Sequence, residues 1–185
     1  MLHRIATFAL AALIITGAAA QTKTPTQGTA QTLHMWPVTG IWQTALARRE
    51  DQTLGCIMLS GHKENGTVTY LAGIRQMPKE LSILVGDLDK IAVSGDHIGL
   101  VIDGVEVGNF VVTRRVDDKT PYHSVGAAIP DAETQRVINL FRTGGDVKFV
   151  TDQATFDFPL KGAAAGIANM HECILEAVNL TSVAK

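Results

Sequence analysis

Apolar and polar residues alternate in short stretches from about residue 40 onward, and turn-forming residues separate these stretches. In residues 67–75, for example, Val68, Tyr70, Ala72 and Ile74 share one face of an extended chain. A period of two over short segments is typical of antiparallel sheet proteins. The pattern predicts strands at 41–48, 53–59, 67–75, 80–85, 97–102, 105–112, 146–151 and 154–158.

Two pairs of turn residues predict β-hairpins. Asn65-Gly66 precedes one strand, and Asp103-Gly104 separates the stretches HIGLVI and VEVGNFVV. Both pairs accept the positive φ angles of a type I′ turn.

Two segments have helical signals instead. The first begins near Pro130 and ends at Gly144, with an apolar face that includes Val137 and Phe141. The second is the small-residue stretch GAAAGIANMHECILEAV, which is apolar over more than half its circumference. We expect this helix to lie deep against the sheet, with His171 as a hydrogen-bonded core histidine. The predicted fold is mainly β, with β-sandwich-like antiparallel sheets and two α-helices, the C-terminal one packed on the sheet.

The N-terminal region differs from the rest of the chain. Residues 1–20 have a basic start, a short apolar core and small residues at 18 and 20, as in a cleavable signal peptide. Residues 21–36 are rich in Thr, Gln and Gly and predict a disordered leader, followed by a single β-rich domain over 37–180. The expected location is periplasmic or secreted, with no membrane span after signal removal.

The two cysteines of the chain predict a covalent link between the second helix and the sheet. Cys173 lies at the border of the apolar arc of the second helix, and Cys56 lies inside the apolar run LGCIML. In an exported protein these two residues are expected to form a disulfide bond. The alternative is two free, buried thiols that act as small hydrophobic residues.

Charge and motifs indicate few kinds of chemistry. The chain has 16 Lys and Arg against 18 Asp and Glu, without a basic cluster, so nucleic-acid binding is not expected. Neither G-x-S-x-G nor C-x-x-C occurs, and the histidines lack metal-ligand spacing, so no catalytic residue, metal or cofactor is predicted. One enzyme hypothesis stays open, a hydrolase site assembled from separate loops by His97, His123, Asp117 and Asp118.

A family resemblance follows from GCIML, LVIDG, GGDVKFV and the closing FDFPLKGAAAGIANMHEC. In this order they resemble periplasmic proteins of the invasion-associated locus B-like family of Gram-negative bacteria, over about residues 40–177. The resemblance implies an exported β-sandwich-like protein, linked in some members to host-cell interaction, without established catalytic residues. It also supports pairing of Cys56 with Cys173.

The function expected from these observations is non-enzymatic binding of a protein or envelope component. Candidate contact residues are Trp42, Tyr70, Tyr122 and His123, because an exposed cluster of aromatic side chains is typical of interaction surfaces. An inhibitor or immunity protein of a periplasmic enzyme is the alternative, acting through the loop at 114–122. The sequence does not indicate an oligomeric state.

Overall fold

The computed structural model of the 185-residue chain describes residues 31–49, 51–64, 67–78, 80–87, 95–116 and 123–183. Within these ranges the protein is mainly β, with ten antiparallel strands in one sheet and two helices, which confirms the predicted fold class. The elements are β1 (Gln31–Met35), β2 (Gln43–Arg48), β3 (Leu54–Glu64), β4 (Thr67–Met77), β5 (Glu80–Asp87), β6 (His97–Ile102), β7 (Val105–Val116), β8 (His123–Ile129), α1 (Asp131–Thr143), β9 (Asp146–Thr151), β10 (Thr155–Pro159) and α2 (Ala163–Val183).

The sheet runs in the order β1-β2-β3-β4-β5-β8-β7-β6-β9-β10. The first part of β7 pairs with β6 and its last part pairs with β8, with a register shift between Val112 and Arg114. The sheet bends here, so that its two halves face each other as in a sandwich. Tyr70 of β4 accordingly packs on Phe156 and Phe158 of β10, with ring centroids 4.9 and 5.7 Å apart.

All eight predicted strands are present, with small differences at their ends. Asp103 and Gly104 have φ angles of 50° and 76°, which confirms the positive-φ turn between β6 and β7. Asn65-Gly66 and residues 1–30, with the predicted signal peptide, lie outside the described residues.

The predicted leader is wrong at its C-terminal end. Gln31–Met35 is not disordered but forms edge strand β1, which pairs antiparallel with β2. Its sequence QTLHM gives little local signal for a strand, because the pairing with β2 and the contacts with α2 and the cluster around the disulfide arise only in the folded chain.

Aromatic side chains fill the space between the two halves of the sheet. Trp42 is fully buried, and its ring centroid lies 6.0 Å from that of Phe141 on α1 and 6.1 Å from that of Phe158 on β10. Phe149 of β9 contacts both phenylalanines. Tilted and edge-on contacts of this kind stabilise the core beyond the area that they bury.

Helix α2 packs on the sheet through one narrow stripe, where it makes the close approach that its small residues predicted. Ala163, Gly166, Ile167, Met170 and Cys173 are buried at spacings of three and four residues. A Cβ on Gly166 would collide with the Met58 side chain, so glycine is what allows this close approach.

The apolar arc of α2 is wider than the surface that the sheet covers. His171 and Leu175 are therefore exposed, on the side of the helix that faces solvent. The prediction that His171 is a core histidine is wrong, because the local pattern does not show how much of the arc the sheet can cover.

Candidate functional site

A disulfide bond joins the last helix to the third strand. Cys56 of β3 and Cys173 of α2 are bonded, with their Cα atoms 5.9 Å apart and 117 positions apart in the sequence. The predicted pairing is confirmed, and the alternative of two free thiols is wrong. Both cysteines are buried in a small apolar cluster with Trp36, Leu46 and Leu54.

Polar contacts tie the N-terminal edge of the sheet to the same helix. The Trp36 indole nitrogen donates to a Glu172 carboxylate oxygen at 3.0 Å, and the ring of His34 stacks on that of Trp36 with centroids 4.0 Å apart. Nδ1 of His34 lies 2.7 Å from a carboxylate oxygen of Glu176. The middle of α2 is thus held by β1 on one side and by the disulfide on the other.

Beside the disulfide, a cleft of about 420 Å³ lies between the C-terminal half of α2 and the adjoining ends of β3 and β4. We call it the disulfide cleft. Most of its lining is apolar. The lining residues are Leu54, Gly55, Cys56, Gln76, Met77, Pro78, Ile174, Ala177, Val178, Thr181 and Ser182.

The polar side chains of the disulfide cleft form hydrogen bonds with nearby backbone. Gln76 Nε2 donates to the carbonyl of Met77 at 2.9 Å. The hydroxyls of Thr181 and Ser182 each donate at 2.8 Å to a backbone carbonyl of the preceding helical turn. An occupant therefore meets a surface whose polar groups are already bonded, which favours an apolar group.

Exposed aliphatic residues continue from the cleft along α2. Val178 lines the cleft and is 60% exposed, and Leu175 and Leu180 on the same helix are exposed as well. An accessible apolar surface next to a concave one is typical of binding sites for apolar groups.

The three predicted contact residues that the structure describes do not form one exposed surface. Trp42 is wrong as a contact residue, because its side chain is in the core and its Nε1 donates to the carbonyl of Pro159 at 3.1 Å. Tyr70 is half-buried, with the ring of His62 stacked on it at 4.6 Å. His123 is buried at the start of β8, which makes it a poor contact residue, and Tyr122 lies outside the described residues.

The register also separates the two histidines of the hydrolase hypothesis. His97 of β6 pairs with Val111 of β7, and the next residue of β7, Val112, pairs with Ala127 of β8. His123 lies four residues from Ala127 along β8. Four strand residues correspond to about 13 Å. Asp117 and Asp118, and most of the 114–122 loop, lie outside the described residues.

Within the described ranges, no group of three or more His, Cys, Asp and Glu side chains is arranged to hold a metal ion. The helices described here are all too short or too polar to cross a bilayer. No family of known proteins matches this chain, and no characterised protein or solved structure shows significant similarity to it.

Sequence reasoning missed the disulfide cleft because its walls come from segments about 100 residues apart that meet only in the folded chain. One signal was present. The apolar arc of α2 is too wide for a single sheet surface, and its excess residues Leu175 and Val178 lie at or beside the cleft.

Proposed function

We propose that this chain is a non-enzymatic binding protein of the periplasm or the extracellular space, and that the disulfide cleft receives an apolar side chain of a protein partner. The observation that carries the proposal is the cleft itself. Its volume of about 420 Å³ lies within the usual range for ligand pockets, roughly 300–1,000 Å³. That space accommodates one or two large apolar side chains.

The surroundings of the cleft support an anchoring role. The Cys56–Cys173 bond fixes one wall, so little conformational freedom remains to be lost when a partner binds. Full burial of one large apolar side chain contributes roughly 1.5–3 kcal/mol. Val178, at the rim, extends the contact onto the exposed surface of α2.

We also propose that the chain is exported and that it is related to the invasion-associated locus B-like family. The first twenty residues have the features of a signal peptide, and a disulfide bond is typical of an oxidising compartment. The resemblance to the invasion-associated locus B-like family suggests that the partner is a component of the cell envelope or of a host cell.

Affinity capture with two matched variants tests this proposal. Val178→Lys places a charge at the rim of the cleft, whereas Val105→Lys places the same charge on the β6–β7 hairpin, where the valine is 62% exposed. Both variants should melt as the wild type does. We expect Val178→Lys to weaken binding of a captured envelope or host protein at least tenfold, and Val105→Lys to leave it unchanged.

The partner is then purified and its affinity for each variant is measured. Equal affinity for the wild type and Val178→Lys would contradict the use of the cleft. A larger loss with Val105→Lys would instead assign binding to the opposite end of the sheet.

A further inference from the structure

Two arginines project from the face of the sheet opposite α2. On this face Arg75 of β4 is opposite Ser82 of β5, which in turn is opposite Ala128 of β8. Arg114 of β7 is opposite Gly126 of β8, which is two residues from Ala128 and on the same face. The small residues between them leave the two long side chains free to approach each other.

A third arginine, Arg49, lies near the same place. Strands β2 and β7 are five positions apart in the sheet order, which corresponds to about 24 Å in a flat sheet. Yet the charge of Arg49, just beyond β2, acts on both Arg75 and Arg114, and the charge of Asp51 acts on Arg114. The three guanidinium groups therefore lie near one another at one end of this face. We call this group the arginine cluster.

Among the described residues, the carboxylates near the arginine cluster are fewer than its guanidinium groups. Three guanidinium groups share the site with two described carboxylates, Asp51 and Glu80. Asp51 accepts hydrogen bonds from Thr53 and lies 3.6 Å from Arg49. Glu80 accepts a hydrogen bond from the Ser82 hydroxyl at 2.6 Å and lies 3.7 Å from Arg75.

Arg75 is partly buried, and one of its donor nitrogens lacks a partner among the described residues. Its Nη2 donates to the Ser82 hydroxyl at 3.3 Å, but its Nε is buried without a hydrogen-bond partner in the described part of the chain. Burial, and then the charges of Arg114 and Arg49, lower the pKa of Arg75. Burial, and then the charge of Arg49, lower the pKa of Arg114. Partly buried like charges of this kind destabilise one another.

We propose that the arginine cluster is an oxyanion-binding site, in which Arg75 and Arg114 hold a carboxylate or phosphate group. A guanidinium presents planar N–H groups that match the oxygens of either anion. The Nε of Arg75 belongs to the same planar group, so its resonance reports on an anion held by this guanidinium. Ile57, the neighbour of Arg75 on β3, and Leu84, the neighbour of Gly126 on β5, reduce the exposure of the site to water and strengthen the interaction.

The site is tested with inorganic phosphate and acetate, each titrated at constant ionic strength against chloride. The readout is the Nε–Hε resonance of Arg75 in a nitrogen–proton correlation spectrum. We expect this resonance to shift and saturate in the wild type. Arg114→Gln should weaken anion binding at least tenfold. Arg136→Gln on α1 removes an exposed arginine that is paired with Glu133, and it should leave the affinity for the anion unchanged. Phosphate binding with little response to acetate would indicate a phosphate ligand, and the reverse a carboxylate.

Thermal melting under the same conditions gives a second readout. Phosphate stabilises most folds to some extent, because it is excluded from protein surfaces. Only an increment in melting temperature that is present in the wild type and lost in Arg114→Gln supports the site. An equal increment in both proteins, together with a resonance that does not saturate, would overturn the proposal. Val178→Lys should retain anion binding, so the result is independent of the disulfide cleft.

Discussion

Removal of the Cys56–Cys173 bond gives the sharpest test of how this fold is stabilised. The two residues are 117 positions apart, and the chain-entropy relation then gives a stabilisation of about 4.9 kcal/mol at 25 °C. A loss of this size in a chain of this length corresponds to a decrease in melting temperature of roughly 10–20 °C. We expect the double variant Cys56→Ala/Cys173→Ala to lose about this much free energy of unfolding.

The measurement is urea unfolding followed by tryptophan fluorescence, since Trp36 and Trp42 are both buried and Trp36 packs in the cluster around the disulfide. Wild-type protein in reducing buffer is the matched control, because it retains both sulfur atoms and lacks only the covalent bond. The two proteins should be destabilised by similar amounts. If the reduced wild type is as stable as the oxidised one, the bond does not restrict the unfolded chain and the reasoning fails.

Three further substitutions test the packing. Trp42→Phe removes the hydrogen bond to the Pro159 carbonyl and some core volume, and should lower the free energy of unfolding by about 1–3 kcal/mol in urea denaturation; unchanged stability would show that the core repacks without cost. Gly73→Ala places a Cβ against the backbone oxygen of Met58, whereas Gly104→Ala meets nothing within 4 Å and incurs only the cost of its positive φ, about 1 kcal/mol. Thermal melting should therefore show a larger loss for Gly73→Ala, and equal losses would refute the steric argument.

Eight of the ten strands, all except β1 and β8, and helix α1 could be predicted because their signals are local. Alternation with a period of two, the Asp103-Gly104 turn, and the boundary residues Pro130 and Gly144 each act within a few residues. The disulfide could be predicted for another reason, since the chain offers Cys173 a single partner.

The site features depend on contacts that no local pattern contains. Edge strand β1 is polar and is held by β2 and α2, so composition alone indicated disorder. The arginine cluster requires β8 and β7 to follow β5 in the sheet, an order that differs from the order along the chain. The disulfide cleft likewise depends on where the second half of α2 meets the ends of β3 and β4.

Strand β7 contributes hydrogen bonds to both halves of the sheet, to β6 with its first residues and to β8 with its last. If the chain is divided before β7, the paired strands β6 and β7 belong to different pieces. If it is divided after β7, the paired strands β7 and β8 do, and in both cases the pair β5 and β8 is divided as well. The architecture is for this reason not modular. Exchanging one half for that of another protein would leave unpaired strand edges along the junction.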